Sequence, residues 1–384
     1  MLLKNVIGQE HAKKGLLDMF QSGHLPHALL LVGDEGYGGL PLAWAFIQYV
    51  LCEQKQATDA CGICPNCSKI SKWEHADVHL SFPSIKLSSD KKNLSKYHID
   101  SFKEFVAQTP YGTCYDWLQF IDADNKQGNI SKDECDEIIH QMSLKSYEGG
   151  IKVQVIWLPE YLGKEGNRLL KLIEEPPADT LFVLIANNKE EVMPTIVSRT
   201  QVIPLVPIPA KQLYEELIQK GVADPSAAAQ IAQIAKGSYA EALHLAKQLD
   251  NDLFTDLRNW FNALFAKKGA DIVSFVEEYA KKGREQQKNF LHYVIAILEQ
   301  AIKARYVPEN HLSLPASEKQ FVVKLAGMQL SIDQLQQMIK EINVFNALGE
   351  FILKKNFNEV GGEIDLETLE CGVYVIQIQC STGA

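Results

Sequence analysis

The chain has 384 residues, 46% of them apolar, and a formal net charge of −10. That length supports two or three domains with cores of their own, and no apolar run approaches the ~20 residues of a membrane span. The acidic balance argues against wrapping nucleic acid over a broad surface, because such affinity comes from neutralised phosphates.

Met1 to Glu10 hold one lysine and no long apolar stretch. No secretory signal is read there, and the expected location is the cytoplasm, with no membrane partner. Eight cysteines in an intracellular chain of this size point to metal or free thiols before disulfides.

Residues 9–21 carry a helical pattern. Ala28 to Val32 is an apolar run that reads as a buried strand, and it feeds Gly33-Asp34-Glu35-Gly36-Tyr37-Gly38-Gly39-Leu40 before a helix over 41–52. A phosphate-binding loop needs that strand, loop and helix, with the pattern G-x-x-x-x-G-K-[ST]. Gly33 and Gly38 hold the spacing, and Gly36 adds backbone freedom between them. Gly39 stands where the lysine should reach the β- and γ-phosphates, and Leu40 where a hydroxyl should hold magnesium. The cradle is therefore expected to be vestigial, with ATP binding weak or absent. An ordinary glycine-rich turn would explain the same losses, but not the placement of the strands around it.

Cys52, Cys61, Cys64 and Cys67 follow, a C-x8-C-x2-C-x2-C cluster. Four thiolates complete tetrahedral zinc and leave no open position for catalysis. A closed zinc staple over 52–67 is expected rather than a nucleic-acid reader. Cys114, Cys135, Cys371 and Cys380 lack comparable spacing and read as inert thiols. Asp122 to Glu134 resembles a calcium loop, but Gln127 sits where the required glycine belongs. The expected structure there is a turn into a helix, with Ser131 to Glu134 as a capping box.

Lys152 to Leu158 reads as a second core strand. A hydrolase ends this strand in Asp-Glu, and here it ends in Pro159-Glu160, so the metal-binding acid is missing as well. Next come a helix over 163–174, a third strand from Thr180 to Ala186, a short helix over 193–199 and a strand from Gln201 to Val206. Strands alternating with helices predict an α/β fold with a parallel sheet. After Pro207 and Pro209 the pattern turns helical at 210–220, 224–236 and 238–249. It continues as longer helices through about 340, with the apolar stripe Phe290, Val294, Ile295, Leu298 and Ile302 clearest. From Ile342 short strands with glycine turns are expected to the end.

These motifs resemble a known family, the delta-prime subunits of the bacterial DNA polymerase III clamp loader, which are AAA+ proteins. His24-Leu25-Pro26-His27-Ala28, the zinc cluster, His75-Ala76-Asp77-Val78, Asn167 to Pro177 and Ser198-Arg199-Thr200 carry the resemblance over residues 1 to about 340. Ala76 replaces the family's usual proline. The fold so implied is an AAA+ P-loop-type parallel sheet with a zinc insertion (1–207), a helical lid (208–250), a shortened helical collar (251–341) and a short β tail (342–384).

The resemblance also implies a division of labour. The chain would be a non-hydrolysing subunit that helps load the sliding clamp on primed DNA, beside motor subunits of the gamma/tau type and the delta subunit. Arg199 would reach a neighbour's ATP site as an arginine finger, whereas an arbitrary arginine there would be a surface salt bridge at a helix end. Asn187 or Asn188 falls at the first sensor position, and without a γ-phosphate would cap the following turn. Glu241 replaces the second sensor's arginine, which would repel nucleotide. Any enzymatic activity would come by association with the polymerase holoenzyme, since no intrinsic ATPase is expected.

The segment from Ile342 resembles the C-terminal sorting domain of type IX secretion, without its usual last strand. It reads as a fusion, frameshift or recombination scar, or else as a lineage-specific β extension. Two other function classes stand beside the ring subunit: an independent nucleotide-dependent AAA+ switch or ATPase, which would need residues missing at 39, 40 and 159, and a zinc-dependent nucleic-acid binder, which the acidic charge disfavours.

Overall fold

The computed structural model describes residues 1–86, 92–123, 128–248, 253–265, 275, 279, 284–306, 314, 316–328 and 330–346. They fall into two compact units, one of residues 1–216 with 235–243, the other of 217–234 with the chain from 244.

The first unit is built on five parallel strands, β1 (Ala28–Val32), β2 (Val78–Ser81), β3 (Lys152–Trp157), β4 (Thr180–Ala186) and β5 (Gln201–Pro204), in the spatial order β2-β3-β4-β1-β5. Parallel strands need crossovers, and helices supply them. α1 (Glu10–Gln21) precedes β1 and α9 (Ala210–Gln219) follows β5, and between the strands lie α2 (Gly39–Leu51), α3 (Pro65–Ser71), α4 (Ile99–Gln108), α5 (Cys114–Phe120), α6 (Lys132–Ser143), α7 (Leu170–Glu174) and α8 (Pro194–Val197).

Side chains alternate across a strand, so the continuous apolar runs feed two cores at once. Leu29 and Leu31 of β1, Leu181, Val183 and Ile185 of β4, and Val153, Val155 and Trp157 of β3 join the core that holds α2. Leu30, Phe182, Leu184 and Ile156 join the opposite core with α6 and α8. Buried on both faces, the sheet fixes where its strand ends, and hence its loops, can lie.

Three local expectations change. The helix expected over 163–174 is a 3-10 segment over Pro159–Leu169, broken at Gly163 (φ 49°, ψ −136°), before the short α7. Ser131 caps α6 through the amide of Glu134, but the Glu134 side chain does not close the box; it accepts from the Ser95 amide at 2.8 Å instead. The strand expected from Ile342 is also absent at its start. Ile342 to Asn346 finish a helix over Ile332–Asn346, because apolar residues at 332, 335, 338, 339, 342 and 345 keep a helical period. The remaining β expectations, 347–384, lie outside the described residues, as do Cys371 and Cys380.

The sequence pattern missed β2 and the helices α4 and α5 that follow it, while the helix expected after Ser131 is α6. Phe82, Phe102 and Trp117 pack there ring to ring, with centroids 4.1–5.3 Å apart. The Thr113 and Asp116 capping box that starts α5 was the available signal.

The second unit is helical. It includes α10 (Pro225–Ile234), α12 (Leu253–Phe265), α13 (Arg284–Lys303), α14 (Ala316–Ala326) and α15 (Ile332–Asn346), while α11 (Tyr239–Gln248) runs from the first unit's residues into the second's. Of the expected stripe, Phe290, Val294, Ile295 and Leu298 are buried and Ile302 is half-buried, while Tyr293, Ala296 and Ile297 are buried too. Such all-round burial marks α13 as the central helix of its unit.

Asp77 illustrates how the sheet edge organises a loop. Its carboxylate, almost fully buried, accepts from the Tyr147 amide at 2.7 Å, the Glu148 amide at 2.8 Å and the Ser146 hydroxyl at 2.9 Å. Burial opposes ionisation, but these donors outweigh it and hold the carboxyl below its ordinary range. Asp77→Asn is therefore expected to cost roughly 1–3 kcal/mol near pH 7. A depressed folded pKa gives stability that is complete above the unfolded value near ~3.9 and disappears as pH falls through the folded value. Urea melts of both proteins at neutral pH and at about pH 3 should show the difference shrinking, and an equal difference at both would contradict this account.

Candidate functional site: a closed phosphate loop and a four-cysteine cluster

β1 ends at Val32, and Gly33 donates to Ala186 of β4 at 3.1 Å, so the loop starts anchored to the neighbouring strand. Gly36 and Gly38 take φ of 81° and 95°, which side chains with a Cβ rarely adopt, and α2 begins at Gly39. The strand, loop and helix of a phosphate cradle are all in place. Its working side chains are not: Gly39 and Leu40 stand at the loop's end, and Pro159 follows β3.

Other residues occupy the cavity over the loop. A Cβ on Gly39 would lie 2.7 Å from a methyl of Ile185, and one on Gly38 would lie 2.7 Å from the ring of Tyr111. Tyr111 is buried, and its hydroxyl accepts from the Ile7 amide at 2.8 Å. Glu35 Oε1 accepts from Asn187 Nδ2 at 3.2 Å and from the Cys114 amide at 3.4 Å. The Gln9 side chain ties the N-terminal segment to the Tyr37 carbonyl (3.0 Å) and to both backbone groups of Val206. The sequence reading missed Glu35, Tyr111 and Gln9. An acidic residue inside a loop built for phosphate was the signal for the first; nothing in the pattern marked the others.

Asn188 caps the next turn by accepting from the Glu190 amide at 3.0 Å. Glu160 Oε1 receives the amides of Asn187 (2.5 Å) and Asn188 (3.1 Å), and burial raises its carboxyl above the ordinary range. Cys114 and Cys135 are buried, and burial pushes their thiols to about 11 and about 12, consistent with inert cysteines. Arg199 follows α8 at the surface, away from these contacts; its Nε donates to Glu174 at 2.8 Å and its Nη1 to the Thr195 carbonyl at 3.0 Å. Glu241 receives a cap from Ser238 through its amide at 3.2 Å.

Cys52, Cys61, Cys64 and Cys67 come together beside α3, their sulfurs all within 4.8 Å of one another. The Cys61 and Cys67 sulfurs are 3.9 Å apart, and those of Cys64 and Cys52 are 4.0 Å apart. A tetrahedron with ~2.3 Å metal–sulfur bonds has edges of about 3.8 Å, so the donor set fits zinc. The amides of Cys61, Cys64 and Cys67 point at Cys52, Cys61 and Cys64 sulfurs at 3.3–3.4 Å, as thiolates require. The amides of Ile63 and Cys64 draw the Cys61 thiol down to about 6, while burial pushes Cys67 up to about 12. A bound cation would reconcile the two by making every sulfur a thiolate.

Among the described residues no helix is long and apolar enough to cross a membrane. The family model "DNA polymerase III, delta subunit" matches residues 8–209, just over half of the chain. "Secretion system C-terminal sorting domain" matches 319–384, a stretch that includes most of α14 and all of α15. DNA polymerase III subunit delta' of Bacillus subtilis (strain 168) is 26% identical over 310 residues, 79% of this chain and 80% of the relative. Its counterpart in Escherichia coli (strain K12) is 23% identical over 333 residues, 85% and 84% of the two chains. DNA polymerase III subunit tau of Salmonella typhimurium is 23% identical over 356 residues, 81% of this chain but 48% of the relative. With the parallel sheet, the glycine loop and the cysteine cluster in place, the chain belongs to the DNA polymerase III delta-prime family of AAA+ clamp-loader proteins.

Proposed function

We propose that the chain is a non-hydrolysing subunit of a clamp-loading ring, which helps place the sliding clamp on primed DNA and lends Arg199 to a neighbouring ATPase site. The observation that carries this reading is the intact glycine loop with Gly39, Leu40 and Pro159 at the three positions phosphoryl transfer depends on. The relatives supply the setting, since delta' and tau subunits are among them. Motor subunits of the gamma/tau type and a delta subunit are the proposed partners, and the cytoplasm the proposed location. Residues 1–207, 208–250, 251–341 and 342–384 are the proposed AAA+, lid, collar and tail segments. Zinc, held by Cys52, Cys61, Cys64 and Cys67, would act as a structural staple only.

The half-buried position of Arg199 at the surface end of α8 is compatible with its proposed role. Its one carboxylate partner, Glu174, is more than half exposed, so the pair is weakly held and easily exchanged for a ligand on another subunit. The isolated chain is expected to show no ATPase activity and very weak ATP binding. Turnover at the rate of a motor subunit, magnesium-dependent and lost in Glu160→Gln, would refute the proposal and favour an independent ATPase.

A further inference from the structure

We propose that the chain fills its own nucleotide pocket: Tyr111 is an apolar plug over the P-loop, and Glu35, at the exposed rim of the pocket, is the bridge that ties the loop to its neighbours. Together they hold the loop, α5 and the end of β4 in one arrangement without a ligand. The proposal rests on the non-hydrolysing reading of the same site and explains how the loop can keep its shape when nothing binds it.

A phosphate-binding loop turns several backbone N–H groups toward one concave space, which favours an anion or another occupant there. Glu35 sits within the loop and turns its carboxylate to Asn187 Nδ2 and the Cys114 amide, so one anion links β1, β4 and α5. Tyr111 spans the other side: its ring lies against Gly38, its hydroxyl takes the Ile7 amide, and Tyr239 meets it edge-on at 5.0 Å. Gly36 is pinned as well, its carbonyl accepting from the Tyr239 amide at 3.0 Å, with Ser238 against the place of its missing Cβ. The space left over the loop is about 30 Å³, against the roughly 300–1,000 Å³ of a small-molecule site. A lysine at 39 would bring its Cβ within 2.7 Å of the Ile185 methyl, so the pocket as packed has no room for that side chain without a shift of Ile185.

The test uses the full chain, amide hydrogen exchange, and magnesium pyrophosphate as the anion probe. Wild type should show exchange at Ile7 and Cys114 that millimolar pyrophosphate does not change. Glu35→Ala should speed exchange of Cys114 about tenfold, and pyrophosphate should partly restore its protection. Tyr111→Phe keeps the ring and the fold but removes the acceptor, and should speed Ile7 by a similar factor. Unchanged exchange in both variants would overturn the plug alone, and so would protection by pyrophosphate as strong in wild type as in Glu35→Ala. ATP turnover by the wild-type chain, measured separately, would overturn both the plug and the non-hydrolysing reading.

Discussion

Removing zinc from the cysteine cluster is expected to unfold residues 52–72 and to loosen the N-terminus with them. Structural zinc in isolated finger peptides contributes an apparent ~10–16 kcal/mol. In a larger domain the loss is confined to the elements the staple joins, and several kcal/mol is the expected scale. Those elements are identifiable. Asn66 Nδ2 donates to the Leu51 carbonyl and Trp44 Nε1 to the Ile70 carbonyl, both at 3.0 Å, joining α3 to α2. Asp59, within the same insertion, accepts from the amides of Leu3 at 2.9 Å and Lys4 at 3.1 Å. Freshly purified reduced protein should hold one zinc. Chelation, or Cys64→Ser, should lower the melting temperature and raise exchange in residues 1–7 and 52–72, while β1 and β4 stay protected. Less than half an equivalent of metal, or an unchanged melt after chelation, would count against a staple.

Replacing Arg199 by alanine should do the opposite, sparing the fold and impairing the assembly's chemistry. The ion pair with Glu174 is exposed, so its loss should shift stability by no more than about 1 kcal/mol. An arginine finger contributes on the order of 10³–10⁵ to the rate of the site it serves. In a ring reconstituted with motor subunits, clamp and primed DNA, Arg199→Ala should silence one interface and leave the others, which single-turnover measurements resolve. Glu174→Ala is the control, expected to leave ATPase near wild type because it removes only the resting partner. Normal ATPase and clamp loading by an assembled Arg199→Ala ring would eliminate the finger.

Much of the fold was legible because the chain states it in local terms. Ala28 to Val32 and Thr180 to Ala186 are unbroken apolar runs, and only a strand buried on both faces uses such a run. The cysteine spacing by itself announces a four-sulfur site, since two C-x2-C steps can bend back on one ion. Gly39, Leu40 and Pro159 are absences, and absences at fixed motif positions can be read directly. Local period misled at Ile342, where β-branched and aromatic residues suggested a strand while the wider spacing kept a helix going to Asn346.

The sequence by itself determined the α/β class, the glycine loop that lacks the motif's lysine and hydroxyl, and the four-cysteine cluster, because each depends on residue type at short spacing. Only the tertiary structure decided what became of the empty loop. Tyr111 is 73 residues from Gly38 and Asn187 is 152 from Glu35, and no local rule links positions so far apart. Parallel strands brought them together: β1 and β4 are neighbours in the sheet, so their ends share one edge, and the segment before α5 folds over it. Burial bears on the ring alone: Tyr111 is enclosed against Gly38 and fills what would otherwise be a void, while Glu35 and Asn187 meet at the accessible rim.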